Sequence, residues 1–444
     1  MQTEIIKALM GAAGAVGGAT YVDDVFSTYL WEGNATTRDI NNGIDLAGEG
    51  GLVWIKNREN GNQNNLLFDT TAPPQSSGNL YSYPLQSNTS VARGPSVNGL
   101  KSFNSNGFSV YTDSGVNENN KGIASWTFRK APGFFDVVTY TGTSSTLNVA
   151  HNLGCVPGCI LIKCTDQNGY NWQVYHRGIG NTKSLKLDST DAEITGNYFN
   201  DTSPTSTHFT VGATGNVNYN GFTYVAYVFA HDEQSFGEDA NSSVIKCGSY
   251  TTDSNEDATI NLGWEPQWVL AKRTDSSTGG DWFIIDSMRG FMNAQDIEAN
   301  NGGSKYVEPN TSDAEADTSR MGLTSTGFYA DQFGSNRTFI YMAIRRSDGY
   351  VGKPVELGTD VFAMAVANGS TPSFISNFPV DWALMRMPST ANNWSSSGRL
   401  APPDLQPDNS NAEDTSLNSV FKFDHNNGWA VNRSSPRQSW MWKR

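Results

Sequence analysis

The sequence repeats itself, and that repetition limits what the chain can fold into. Residues 134–163 read FFDVVTYTGTSSTLNVAHNLGCVPGCILIK. An apolar strand runs into Gly142, an alternating strand follows at Leu147–His151, and a turn through Gly154 and Pro157 leads to Cys159-Ile160-Leu161-Ile162-Lys163. The same order returns as Lys246–Tyr250, Ala258–Gly263, Pro266 and Trp268-Val269-Leu270-Ala271-Lys272. Shorter echoes are Leu52-Val53-Trp54-Ile55-Lys56 after Gly43-Ile44, and Trp382-Ala383-Leu384-Met385-Arg386 after Ile375 and Pro379. The four basic positions Lys56, Lys163, Lys272 and Arg386 are 107, 109 and 114 residues apart. A period of that length is a whole domain; solenoid repeats are shorter.

Each repeat also closes alike, on an apolar, aromatic run: Ser125–Lys130, Val225–Ala230, Tyr341–Arg346 and Ser439–Arg444. A middle strand recurs as Leu66–Asp69, Trp172–His176 and Trp282–Asp286. Short β-branched and aromatic runs between Gly, Asn, Ser and Asp clusters read as antiparallel strands and turns. A unit of roughly 100 residues with about seven such strands has the size of a β-sandwich. The expected fold is therefore all-β: about four tandem, jelly-roll-like β-sandwich units at 24–130, 131–235, 243–346 and 347–444, the last the most diverged. Aromatic inner faces supply the cores.

Residues 1–23 differ in composition. Ile5, Ile6, Leu9 and Met10 form a helix-prone apolar set, followed by a Gly/Ala hinge. Glu4 offsets Lys7, which argues against a signal peptide. The apolar run is too short for a membrane span. A short anchor helix docking the chain onto a larger assembly is the expectation.

Charge narrows the partners. A net charge of −14 with no long basic run argues against nucleic-acid binding. Cys155, Cys159, Cys164 and Cys247 lack the spacing of a metal site and read as packed thiols. Asp253, Asn255 and Asp257 have the start of a calcium loop, but Ala258 and Trp264 stand where glycine and glutamate are needed, so a solvated turn is expected. None of the five histidines sits in a nucleophile motif. His176 aligns with Asp69 and Asp286, which points to a polar strand end. No phosphate loop and no recurring carboxylate pair appears. The sequence carries no catalytic signature and implies no cofactor.

Tyr140-Thr141-Gly142, His151-Asn152-Leu153-Gly154, Trp172-x-Val174-Tyr175-His176-Arg177, Asp201–Ser206 and Tyr224–Tyr227 together resemble a β-rich domain of unknown function that recurs in tail-associated structural proteins of marine bacteriophages. Lys7–Gly14 and Gly43–Lys56 resemble such proteins too. The resemblance implies a virion component without enzymatic residues. It leads to a tail or fibre protein that contributes to host-surface attachment. A purely structural protein (capsid decoration or tail sheathing) is the alternative, and a glycan-degrading tail enzyme a third reading. Expected partners are other virion proteins through residues 1–23, further copies of the chain (a trimer first), and a host-surface glycan or protein.

Aromatic side chains amid polar loops suggest where contact would occur: Tyr81, Tyr83, Tyr170 and Tyr219, and also Trp172, although its place at the start of a recurring strand puts a core role first. The repeats agree at their strands and differ most at 70–95, 300–317 and 392–407. Divergent loops on a fixed frame are where binding is usually placed. Trp394 and Arg399, in the last of these, are expected at an exposed contact surface, with Tyr81 and Tyr83 in the first.

Overall fold

The computed structural model describes residues 19–74, 81–292, 303–318, 320–331, 333–389, 391–400, 404–411, 421–431 and 437–444. The anchor residues Ile5, Ile6, Leu9 and Met10 lie outside them. The chain is all-β, with 41% of residues in strands and 4% in helix.

Four strands recur in the larger sheet of each repeat, always in the spatial order opening, closing, inner, middle; the first sheet adds one further strand and the third adds two. In the first these are Phe26–Glu32, Gly122–Arg129, Gly51–Asn57 and Leu66–Asp69. In the second they are Phe135–Thr141, Thr223–Phe229, Cys159–Cys164 and Gln173–His176. The third has Ile245–Thr251, Thr338–Arg345, Pro266–Arg273 and Trp282–Asp286. The fourth has Phe362–Val366, Gln438–Trp442, Trp382–Arg386 and Ser395–Gly398. A smaller antiparallel sheet accompanies each: Arg38–Asn41 with Gly107–Val110, Leu147–Ala150 with His208–Val211, Ala258–Asn261 with Gly327–Ala330, and Phe374–Ile375 with Gly428–Val431.

One face of each large sheet packs inside its own sandwich. Ile40, Val53, Ile55 and Phe108 meet in the first, Ile260, Val269, Ile285 and Phe328 in the third, and Phe374, Met385, Trp429 and Met441 in the fourth. The opposite face does something that the expectation of tandem units did not contain. In the first three sandwiches it packs into one shared core, which joins Trp54 and Phe128 to Leu161 and Phe229 and to Trp268 and Ile344. Phe128 lies 5.5 Å from Phe229, 5.8 Å from Phe135 and 5.7 Å from Trp268, ring centre to ring centre. Being covered on both faces explains why every residue of Gly51–Asn57 and of Cys159–Cys164 is buried.

Three repeats around one core form a closed, threefold-like ring, and backbone contacts repeat around it. Arg93 N–H donates to Thr165 O at 2.9 Å, Glu193 N–H to Thr274 O at 2.8 Å, and Glu315 N–H to Arg58 O at 2.7 Å. Second touches first, third touches second, and first touches third. The fourth sandwich attaches where the first and third meet. Asp424 pairs with Arg58 at 3.4 Å, Arg399 donates to Met288 O at 3.2 Å, Asn426 bonds the Leu30 backbone and Arg444 pairs with Glu265.

Candidate functional site: the joints of the ring

A polar position recurs at the end of each middle strand, directly across the ladder from the start of the inner strand: Asp69 opposite Leu52, His176 opposite Cys159, Asp286 opposite Trp268. All three side chains are buried. Strand alternation turns them toward the shared core, so each needs a partner from the next sandwich. Asp69 receives the Tyr227 hydroxyl at 2.6 Å. Asp286 receives the Trp126 indole N–H at 2.9 Å. His176 meets the Tyr341 carbonyl at 3.0 Å through Nε2, while its Nδ1 accepts Gly178 N–H. That second bond makes Nε2 the protonated nitrogen of a neutral ring. Burial, with Arg177 and His231 nearby, brings its pKa down to about 4.

The second set of joints lies at the other end of the same strands. Lys56, Lys163 and Lys272 are wholly buried, although each ends an apolar run. Lys56 Nζ donates to Gln63 O and, across the joint, to Ser312 O, both at 2.7 Å. Lys163 Nζ donates to Tyr170 O at 2.8 Å and across to Ser90 O at 3.2 Å. Lys272 donates to Gly280 O and lies 5.7 Å from the centre of the Trp282 ring. Burial lowers all three pKa values to about 8. Beside the lysines, Trp172 Nε1 donates to Gln86 O at 2.9 Å and Trp282 Nε1 to Lys186 O at 2.8 Å. In the first repeat Asn65 takes that place and donates to Thr311 O at 2.8 Å.

Charge is concentrated where the ring closes between its first and third members. Arg58 pairs with Glu315 at 2.7 Å; Arg289 pairs with Asp286 at 2.6 Å and Glu315 at 3.0 Å, and stands 5.2 Å from the centre of the Trp126 ring. Burial alone would lower the Arg58 pKa, but Glu315 and Asp424 beside it hold it above the usual value. This network borders a cavity of about 560 Å³ shared with Arg399 and Phe423 of the fourth sandwich. Its arginines are already engaged by carboxylates or carbonyls, so the arrangement fastens sandwiches together.

The expected contact residues are placed differently. Arg399 is buried, held by Asp381 at 3.2 Å, Val380 O at 2.9 Å and Met288 O; it is a structural arginine, and an exposed contact role for it is wrong. Trp394 is half-buried, 5.1 Å from Trp440 and under the Arg386 guanidinium at 5.3 Å. Tyr81 and Tyr83 are half-buried; Tyr81 pairs with Val97, and the Tyr83 carbonyl accepts Arg93 at 3.0 Å. Trp172 is in the core, where its recurring strand put it; Tyr170 is half-buried, and Tyr219 is exposed.

The divergent segments themselves serve the ring. Gln86, Ser90 and Arg93 of the first, and Glu308, Thr311, Ser312 and Glu315 of the second, are joint residues. They diverge because each joint is filled differently. Sequence reading registered the lysine spacing as a mark of the repeat and missed that Lys56 and Lys163 cross between repeats. The signal available was a lysine ending each all-apolar strand. Asp253 spends one carboxylate oxygen on Asn255 N–H at 2.7 Å and Asp257 N–H at 3.1 Å, the geometry of a turn. The four cysteines are free and buried. Among the described residues no helix is long and apolar enough to cross a membrane.

Comparison with known proteins adds a boundary. A family profile described as a domain of unknown function, DUF7483, matches residues 22–347, which coincides with the three-sandwich ring and leaves out the fourth. No curated protein sequence matches. The solved structure "Crystal Structure of the STIV MCP" is 8% identical over 48% of this chain and 92% of that one, at a TM-score of 0.16, a likeness that carries no argument.

Proposed function

The chain belongs to the DUF7483 family, and from that premise we propose that it is a non-enzymatic structural protein of a bacteriophage particle, carried on the tail and contributing to contact with the host surface. The resemblance of its second repeat to tail-associated proteins motivates the placement. One observation carries the structural reading. The polar groups that stand out within the apolar strands (Asp69, His176, Asp286, Lys56 and Lys163) are consumed by holding sandwiches in place. Such a ring is a stiff body suited to bearing load and presenting surfaces.

Cryo-electron microscopy of purified particles tests this directly. Density for the ring on the tail is the expected result. Density on the capsid shell would replace the tail reading with capsid decoration, and absence from purified particles would overturn both. Release of reducing ends from host polysaccharide by the purified chain would overturn the non-enzymatic assignment.

A further inference from the structure

The fourth sandwich has the same sheet order as the other three, so its residues map onto theirs by ladder register. Phe362 faces Trp442, which faces Trp382. The corresponding rows in the ring are Phe26, Phe128, Leu52 and Phe135, Phe229, Cys159 and Ile245, Ile344, Trp268. One step along, Met364, Trp440 and Leu384 correspond to Val137, Tyr227, Leu161 and to Cys247, Met342, Leu270. In the first three sandwiches these rows are the shared core. In the fourth they face outward: Met364 is 60% exposed, Val366 63% and Trp382 41%.

The chemistry of the face is retained as well as its position. Trp382-Ala383-Leu384-Met385 is apolar at every residue, as in the doubly covered inner strands, yet burial alternates along it. A strand with one solvated face ordinarily alternates apolar with polar. Arg386 lies 5.3 Å from the centre of Trp394, repeating the placement of Lys272 over Trp282 at 5.7 Å. In the ring those two positions reach across a joint: the Trp172 and Trp282 indoles and the Lys163 ammonium end on carbonyls of the neighbouring sandwich.

We propose that this face is where three copies of the chain join, each contributing its fourth sandwich to a core built like the one at the centre of the ring. The occupant is set by precedent within the molecule. The same face, in the same register, already assembles in threes, each member touching the next in one direction. Such head-to-tail contacts close at three, whereas a two-copy interface requires a self-complementary patch. An apolar surface of this extent, contiguous over three strands, is unusual unless something covers it. A glycan fits the face less well. Trp382 and Trp442 lie against each other at 4.5 Å, and Met364 stands opposite Trp440 where a sugar would need hydroxyl partners. Gly398 stands where Asp69, His176 and Asp286 stand in the ring, so this core lacks the buried polar joint and relies on its apolar rows.

Sedimentation equilibrium and light scattering on the full chain test the proposal. The expected species is a trimer of 48.3 kDa chains. Met364→Glu with Val366→Lys, both at exposed sites, should convert it to monomer while circular dichroism and unfolding of the ring stay unchanged. Leu357→Glu, an exposed apolar position outside the face, should leave the trimer intact. A wild-type chain that is monomeric or dimeric overturns the proposal. So does a trimer that survives the face variants and is lost only when residues 1–18 are deleted. A monomer whose strand 438–442 is protected from hydrogen exchange until residues 1–18 are removed would assign the face to the chain's own terminus, and equally overturn it.

Discussion

At the first joint of the ring, Asp69 takes the Tyr227 hydroxyl and the Arg93 guanidinium on one oxygen and the Thr71 backbone on the other. At the second, His176 occupies the same place in the ladder and makes a single cross-joint bond, to a backbone carbonyl. One joint is an ion pair with a neutral donor added; the other carries no charge. The third, Asp286 with Arg289 and Trp126, resembles the first. The difference follows from what the neighbour offers. Tyr227 and Trp126 present N–H or O–H donors, which call for an acceptor. The closing strand of the third repeat has Met342 at the equivalent position and offers only its Tyr341 carbonyl, which calls for a donor. A repeated fold can keep one backbone geometry and invert the polarity of its fastening, provided both sides change together.

The largest effect in this comparison belongs to the charged joints. Asp286→Ala leaves Arg289 short of a partner and the Trp126 N–H without an acceptor in a buried setting. The loss expected is about 3–5 kcal/mol in urea unfolding. A loss below about 1 kcal/mol would mean that Glu315 alone holds Arg289 and that the joint is not fastened at Asp286.

The uncharged joint should reveal itself through pH. His176 titrates near 6.5 when unfolded and near 4 when folded. Between those values the unfolded chain binds more protons, so stability is full above the unfolded pKa and is lost as pH falls toward 4. The loss amounts to about 3 kcal/mol at most. His231 and Arg177 face the same ring, and His231 is shifted the same way. The sharp measurement is therefore the difference between wild type and His176→Gln at pH 7.5 and pH 4.5, shrinking toward the acid end. A difference independent of pH would place the His176 charge elsewhere.

The smallest effect tests the indole contacts. Trp172→Phe removes the N–H that reaches Gln86 O while keeping most of the ring, and should cost about 1–2 kcal/mol. Asn65 makes the equivalent crossing with less apolar area. Asn65→Ala should therefore fall in the same range, its cost owed to the carbonyls of Thr311 and Glu308 that it leaves unpaired. A several-fold difference between the two would show that packing, and not the hydrogen bond, sets the value of this position.

Strand positions and the fourfold repeat were legible because alternation, glycine punctuation and aromatic runs are local signals. Phe135–Thr141, Cys159–Cys164 and Thr223–Phe229 fall within a residue or two of where the pattern puts them. The ring was not read, although part of its signal is present. Val53 and Trp54 are both apolar and point to opposite faces, which says that both faces are covered but not by what. Lys56 and Lys163 look like ordinary strand-end charges until the carbonyls of the neighbouring repeats are in place. Arg399 misled for a related reason: a cation beside an aromatic residue in a divergent loop has the same composition whether it greets a partner or ties down its own chain.

The closing of the ring also sets an order of events during synthesis. The second repeat can dock on the first, and the third on the second, as each leaves the ribosome. The first meets the third through contacts distant in sequence, from Trp126 with Asp286, 160 residues apart, to Lys56 with Ser312 and Arg58 with Glu315, more than 250 apart. Until residue 315 has emerged, the Lys56 ammonium and the Arg58 guanidinium of a finished first sandwich wait without Ser312 and Glu315. That interval exposes adhesive surface, and on a polysome other nascent chains stand nearby with the same surface open. Contacts so distant in sequence form late and slowly. The first repeat therefore stays open to wrong partners until the third arrives.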